Sequence, residues 1–362
     1  MKILHYINNL GSGGAEKLLT DILPLMQKEG NEVSVLICNS KNNLSEYEKL
    51  FKENGIKLID LKSSLYNPLQ VFKLSNLISR NRYDIVHGHL FPSQYWLSLS
   101  SMFVQEHSVF IKTEHSNSNR RQKYYGLKFL ESFIYKKYKV IIAISNSVKV
   151  NLDNWLSGNH EIEVINNGVN LEKINSESNN RSSIFSKEFI NILMVGRFDG
   201  IIKDQLTLIK AMKDLPKNFK LYFAGEGPKL EDIKRKLIEL KLDRNIEFLG
   251  FRNDVYLLMQ STDINILSTN YEGISGVALE SLASGKPFLG SDVIGVNDVV
   301  PDQSYLFPKA NYKVLAQKIL EISGNKMLQH EMVSKAKSHV LKYDINLMVS
   351  KYLELYNRLL KK

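Results

Sequence analysis

Short β-branched or apolar runs recur along this chain at helix-length intervals, and that alternation constrains its fold more than any other feature. In the first half they fall at Lys2–Ile7, Glu32–Cys38, Lys57–Leu61, Asp84–His87, Val109–Glu114, Val140–Ser145 and Glu163–Asn166. In the second half they fall at Ile190–Val195, Lys220–Ala224, Ile246–Leu249, Ile264–Leu267 and Pro287–Ser291. Runs bounded by turn residues and spaced by helix-length segments indicate βαβ units, and so parallel sheets. Two such series predict an α/β chain of two doubly wound, Rossmann-like domains, each binding ligand at the carboxyl ends of its strands. The expected division is 1–170 and 171–344. Glu172–Lys187, polar with almost no apolar face, reads as a solvated linker or a loop into the second domain. From about Ile345 an amphipathic helix carries Leu347, Met348, Tyr352, Leu355, Tyr356 and Leu359, and it is expected to pack back on the first domain.

The chain is 362 residues long and 43% hydrophobic, enough for two cores of ordinary size. No run approaches the ~18 apolar residues that a membrane-spanning helix needs. The N-terminus is too short in apolar residues for a secretory signal and reads as a first strand. Cys38 is the single cysteine, which excludes an internal disulfide framework and a cysteine-based zinc site. A soluble, cytoplasmic chain is expected, possible contact with the inner membrane face included. Of the net charge of +10, much is local: Lys112 to Lys139 holds eight basic residues against Glu114 and Glu131. Arg120 to Lys139 also carries Tyr124, Tyr125, Phe129, Phe133, Tyr135 and Tyr138. A basic, aromatic segment suits an anionic membrane surface; an ordinary helix with its aromatics in the core fits the same residues.

Several turns can carry chemistry. The first strand runs into Gly11-Ser12-Gly13-Gly14-Ala15-Glu16, where glycines let backbone N–H groups approach an anion at a helix N-terminus. The spacing is neither GxGxxG nor a P-loop. In the second half Arg197 and Lys203 follow a strand end and could clamp a diphosphate. Gly225-Glu226-Gly227-Pro228 closes the next strand. Glu272 then precedes a short apolar helix, and Glu280 lies inside its second turn among apolar neighbours, where a charge needs a partner. His87 and His89, one residue apart on a strand, share a face. No carboxylate or further histidine is spaced to complete a metal site with them.

These residues together resemble the retaining family 4 glycosyltransferases, whose GT-B fold places a nucleotide-sugar in the cleft between two facing Rossmann-like domains. The Glu-x7-Glu element at Glu272 and Glu280 is that family's most specific mark. The likeness extends, in order, over Gly13 to Glu16, Val86-His87-Gly88-His89, Thr113-Glu114-His115-Ser116, Ile142 to Ser145, Ile165 to Asn170, Val195-Gly196-Arg197, Gly225 to Pro228 and Phe248-Leu249-Gly250. The resemblance implies that the first domain binds the acceptor and the second the donor. It implies Glu280 on the ribose hydroxyls, Glu272 facing the donor sugar, and the backbone of Ile274, Ser275, Gly276 and Val277 at the sugar or diphosphate. Arg197 and Lys203 resemble the pair that neutralises the diphosphate, His115 the histidine near the reacting sugar. Gly13, Gly14 and Gly227 belong with the donor phosphates, and Gly250, Phe251 and Arg252 with the base.

Two departures stand out. Five residues, Phe198 to Ile202, separate the arginine and the lysine where the family usually has four, and a small bulge is expected to absorb the extra one. The stretch usually written Pro-Asn-Gly-Val-Asp is Asn166-Asn167-Gly168-Val169-Asn170 here, and that turn reads as structural. With no Asp-x-Asp pair, a metal-independent hexosyltransferase is expected. It would carry a sugar from a nucleoside-diphosphate-sugar, a UDP-sugar by expectation, to a saccharide or lipid-linked acceptor in polysaccharide or glycolipid synthesis. Nucleic acid is not an expected partner, since no recognition motif accompanies the charge. The rival readings are a non-catalytic nucleotide-sugar or membrane-binding subunit and a GT-B-fold epimerase or phosphorylase.

Overall fold

The structure is a computed structural model that describes residues 1–104, 107–117, 120–124, 126–156, 158, 160–177, 182–241 and 245–361. The chain forms two compact units, Met1–Gly168 with Ile345–Lys362, and Val169–Asp344.

The first unit alternates β1 (Lys2–Ile7), α1 (Gly14–Lys28), β2 (Glu32–Ile37), α2 (Ser45–Glu53), β3 (Lys57–Asp60), α3 (Gln70–Asn81) and β4 (Ile85–His89). It continues with α4 (Ser93–Ser100), β5 (Val109–Glu114), α5 (Leu127–Tyr135), β6 (Val140–Ala143), α6 (Asn146–Trp155) and β7 (Ile162–Val164). The strands form one parallel sheet in the order β3-β2-β1-β4-β5-β6-β7. Most residues of β1, β2, β4, β5 and β6 are buried, as expected where helices cover both faces of a parallel sheet. Helix α1 buries Leu18, Leu19, Ile22, Leu23 and Met26, one face at helical spacing.

The second unit contains α7 (Leu171–Glu177), β8 (Ile190–Val195), α8 (Gln205–Ala211), β9 (Phe219–Ala224), α9 (Leu230–Glu239), β10 (Ile246–Phe248) and α10 (Val255–Ser261). Then come β11 (Ile264–Leu267), α11 (Gly276–Ala283), β12 (Phe288–Asp292), β13 (Leu306–Pro308), α12 (Tyr312–Gly324) and α13 (Lys326–Val340). Its parallel sheet runs β10-β9-β8-β11-β12-β13. Two readings of the sequence are corrected here. The polar stretch from Glu172 begins within a helix, because Ile174 is buried and its carbonyl accepts a 2.8 Å bond from Gln260. Strand β13 escaped notice because three residues are too few to show a period.

The last helix, α14 (Ile345–Leu360), belongs to the first unit. Its Met348, Val349, Tyr352, Leu355, Tyr356 and Leu359 share one core with Leu19, Ile22 and Met26 of α1. The contact is also polar. Tyr356 Oη lies 2.6 Å from His87 Nδ1, His87 Nε2 lies 2.8 Å from Thr113 Oγ1, and Tyr352 Oη lies 3.3 Å from that same oxygen. The Asn166–Asn170 turn is structural, as the sequence suggested: Gly168 N–H meets Met348 Sδ at 3.0 Å, and Asn170 Oδ1 accepts from Lys173 N at 2.9 Å.

The basic segment divides. Lys112 is fully buried in β5, its Nζ 2.9 Å from Glu114 Oε2 and 3.6 Å from the Tyr135 ring centre, so it adds nothing to a surface patch. Buried Glu131 accepts from Arg121 Nε, Tyr95 Oη and Trp155 Nε1, which neutralises Arg121. Tyr135 and Tyr138 are core, whereas Tyr124, Phe129 and Phe133 are exposed on one short helix and the turn before it. Tyr125 lies outside the described residues, and so do the side chains of Arg120 and Lys123.

Tyr356→Phe keeps the apolar packing and removes the hydroxyl at His87; a loss of about 1–2 kcal/mol in urea unfolding is expected. The buried histidines set a pH dependence of known sign. Burial lowers His5 to about 3 and drops His87 and His89 well below 6.5. In the unfolded chain they take up protons below about pH 6.5 and in the fold they do not, so stability is level above that pH and falls beneath it. Each contributes up to about 1.4 kcal/mol per pH unit. Unfolding midpoints unchanged between neutral pH and about pH 5 would contradict burial of the three rings in neutral form.

Candidate active site

In the second unit the chemistry-bearing residues lie at the carboxyl ends of the strands. After β8 the chain turns through Gly196, exposed Arg197 and buried Phe198. The extra residue before Lys203 is absorbed as expected of a bulge: Asp199 Oδ1 accepts from the N–H groups of Ile201 and Ile202 at 2.7 and 2.6 Å, and Gly200 adopts φ +71°. The loops after β8, β9 and β10 are bonded edge to edge. Gly196 N donates to Ala224 O at 3.0 Å, Phe198 N to Glu226 O at 3.0 Å, and Gly225 N to Gly250 O at 2.8 Å. A Cβ on Gly225 would sit 2.2 Å from Gly196 O, and one on Gly227 2.4 Å from Phe198 O, so this approach needs glycine at both places.

Strand order reverses between β8 and β11, with β9 and β10 to one side and β12 and β13 to the other. Open α/β sheets bind ligands at such a switch point. Here Lys203, from the β8 loop, places Nζ 2.5 Å from Oε1 of Glu272, from the β11 loop. The two loops are stitched by Asp204 N to Ser268 O (3.0 Å), Asn270 N to Ile202 O (2.7 Å) and Thr269 Oγ1 to Ile202 O (2.9 Å). Thr269 Oγ1 also bonds Glu272 Oε1 at 3.0 Å. Both charged side chains are nearly nine-tenths covered, which strengthens their attraction over that of an open surface pair.

Helix α11 begins beside this pair. Ser275 Oγ caps it by accepting from Ala278 N, and Ser275 N donates to Gly295 O at 3.1 Å. Capping leaves the N–H groups of Gly276 and Val277 as first-turn donors, and the space beside Gly276 Cα is open. An anion is favoured there by donors and helix dipole together. Ile274 is buried beneath the turn. One turn on, Glu280 is 9% exposed and accepts from Tyr256 Oη at 3.4 Å. Phe251 is partly exposed after Gly250, while Arg252 is held in two bonds by Asp254, at 2.8 and 2.5 Å.

In the first unit the order reverses between β1 and β4. Gly13 caps α1 without a side-chain bond, and Glu16 stands in the first turn with its carboxylate against Gly13. Gly14 faces open space. His115 follows β5 and is joined to the interior: its Nε2 lies 3.1 Å from His89 Nδ1, and His89 Nε2 lies 3.0 Å from His5 Nδ1. Burial lowers the His115 imidazole to about 4, leaving it neutral. The structure thus joins Lys203 with Glu272, sets Glu280 and the α11 N-terminus on the same sheet edge, and places His115, Gly13 and Gly14 in the other unit.

The spacing of His87 and His89 offered no third ligand, but the fold supplies one. Parallel register sets His5 opposite His87, and candidate ligand nitrogens of His5, His87 and His89 lie within 4.8 Å of one another. Five of those six ring nitrogens already have hydrogen-bond partners, leaving only His5 Nε2. A metal ion would have to displace several of these bonds. His5 and Thr269 went unnoticed in the sequence because nothing local marks them; each matters through a neighbouring stretch of chain, His5 through β4 and Thr269 through the loop after β8, whereas Asp199 acts within its own turn.

The comparisons with known proteins accord with this geometry. The family described as "Glycosyltransferase Family 4" matches residues 12–173, and "Glycosyl transferases group 1" matches 175–339. The chain is 26% identical over 355 residues to a Campylobacter jejuni N-acetylgalactosamine-N,N'-diacetylbacillosaminyl-diphospho-undecaprenol 4-alpha-N-acetylgalactosaminyltransferase, covering 94% of both chains. It is 24% identical to the UDP-Gal:alpha-D-GlcNAc-diphosphoundecaprenol alpha-1,3-galactosyltransferase of Escherichia coli, over 80% of this chain and 79% of that one. Among solved structures, Anabaena HepE in complex with UDP and glucose superposes with a TM-score of 0.85 at 17% identity, covering 99% of this chain and 100% of that one. With both halves matched in order and two parallel-sheet units of the GT-B type, the chain belongs to the family 4 glycosyltransferases.

Proposed function

We propose that this glycosyltransferase moves a sugar from a UDP-sugar to a hydroxyl of a lipid-linked saccharide, with retained anomeric configuration and without a metal ion. The observation that carries the donor site is the Lys203–Glu272 pair at the β8–β11 switch point, flanked by Glu280 and the α11 N-terminus. In this reading Glu280 accepts from the ribose hydroxyls, and Gly276 and Val277 N–H groups meet the diphosphate. Arg197 and Lys203 take up the charge that develops on the departing diphosphate, the role a divalent cation fills elsewhere. Glu272 holds the ammonium in place and faces the sugar. Phe251 and Arg252 line the base, and His115 with Gly13 and Gly14 serves from the acceptor-binding unit. The named donor of the Escherichia coli relative and the UDP in HepE support the choice of donor. The lipid-linked substrate in the Campylobacter relative's name supports the acceptor class.

Retention follows two routes in carbohydrate chemistry. A double displacement requires a free carboxylate nucleophile near the reacting carbon. In this reading Glu280 is committed to ribose and Glu272 to Lys203, so the supported route is substitution from the face the diphosphate leaves, its oxygen taking the acceptor proton.

We further propose that the first unit touches an anionic membrane through Tyr124, Phe129, Leu130 and Phe133, all exposed, with Lys136 and Lys139 beside them. No helix among the described residues is long and apolar enough to cross a membrane.

Glu280→Gln is expected to weaken UDP binding by about tenfold or more, read by saturation-transfer NMR and insensitive to EDTA. Glu272→Gln and Lys203→Ala are expected to lower kcat with smaller effects on donor affinity; wild-type rates in all three would refute the donor site. On vesicles containing anionic lipid, Phe129→Ala with Phe133→Ala is expected to reduce sedimentation at least about tenfold. Equal sedimentation of variant and parent would reject the membrane face.

A further inference from the structure

The hydrogen-bond chain that ends at His115 begins in the core, and its closed end determines which way its protons point. His5 Nδ1 stands 3.0 Å from His89 Nε2, and His89 Nδ1 stands 3.1 Å from His115 Nε2. Each contact requires one N–H and one lone pair, and a neutral imidazole supplies one of each. Burial keeps all three rings neutral. Only two arrangements satisfy both contacts. Either every ring is protonated on Nδ1 and the donors run outward to His115, or every ring is protonated on Nε2 and they run inward to His5.

The arrangements differ at the far ends. His5 Nε2 is buried and without a partner. The neighbouring ring cannot serve it, since both nitrogens of His87 are engaged by Tyr356 and Thr113. In the inward arrangement His5 Nε2 is a buried N–H with nothing to accept it. In the outward arrangement it is an unused lone pair, the smaller penalty of the two. At the other end, His115 Nδ1 has no hydrogen bond to any described residue.

We propose that His5 and His89 are positioning residues that fix His115 in its Nδ1–H form, so that His115 offers a ligand oxygen a hydrogen-bond donor and not a base. The tautomer order stands on this geometry alone; the role toward an oxygen of the donor sugar rests on the glycosyl-transfer reading above. For Nδ1 of His115 to accept a proton from neutral resting enzyme and remain neutral, all three rings would have to change tautomer. That would strand the His5 Nε2–H. The second nitrogen of a histidine thus sets the first one's chemistry, here through two rings in series.

The test is a long-range 1H–15N correlation spectrum of the full chain labelled with 15N-histidine, at neutral pH, with His115 assigned by its absence in His115→Gln. The expected pattern is Nδ1–H with a bare Nε2, and an Nε2–H pattern at His115 overturns the proposal. His89→Phe removes the donor to His115; its ring is then expected to revert to Nε2–H, the form a free neutral histidine favours in water, with kcat about tenfold lower. His89→Gln, whose amide can donate to His115 Nε2, is expected to restore Nδ1–H and most of kcat. A folded His89→Phe that retains the Nδ1–H pattern also overturns it. If that variant does not fold, the wild-type spectrum decides. A wild-type protein with no transferase activity refutes the enzymatic reading, whereas the spectrum still decides the tautomer.

Discussion

Reversal of strand order beside the first strand of each sheet is the constraint from which the candidate site follows. At β1 and β4, and again at β8 and β11, neighbouring strands send their following helices to opposite faces, and the loops above them part. Side chains from two distant stretches then meet across the parting. Lys203 and Glu272 do so in the second unit, tied by the Asp204–Ser268 and Asn270–Ile202 backbone bonds beneath them. In the first unit it is the parallel register of β1 and β4 that brings His5 beside His87 and His89. An ion pair supported on both sides by backbone bonds keeps its geometry without a large cost in side-chain entropy, which an isolated surface pair cannot avoid.

The alternation of strands and helices was legible because each parallel strand, buried on both faces, announces itself as an apolar run. Glu280 stood out as a candidate because a carboxylate among apolar residues is conspicuous, and Glu272 through the Glu-x7-Glu spacing that the two share. What failed to show was anything created by juxtaposition. His5 is one polar residue in an apolar strand, and its meaning comes from the register that sets it opposite His87. Lys112 misled for the converse reason. Counted by sequence it belongs to a basic surface, yet an alternating strand turns it inward onto Glu114 and Tyr135. Strand β13 and helix α7 are short enough that a few buried contacts, not periodicity, define them.

Charge needs the same correction throughout the first unit. Arg121 and Lys112 are balanced by buried carboxylates, so the segment from Lys112 to Lys139 presents less positive charge than its composition implies. What remains outward is a mixed surface of Phe129, Phe133, Tyr124 and a few lysines. Under the proposed membrane contact, such a face would rely on apolar burial more than on attraction over distance, and would respond to lipid packing more than to salt.

The docking of α14 on the first unit bears on the order of synthesis. Tyr352 and Tyr356 complete a core whose other members, in β1, α1, β4 and β5, leave the ribosome first. Folding during translation generally proceeds from the N-terminus, domain by domain. Here the leading unit must wait, with the face that receives α14 uncovered, until the last helix emerges. The contiguous second unit, Val169–Asp344, has its whole sequence available earlier and can close first. The nascent chain is thus most exposed to misassociation not at its growing end but in the part made longest ago.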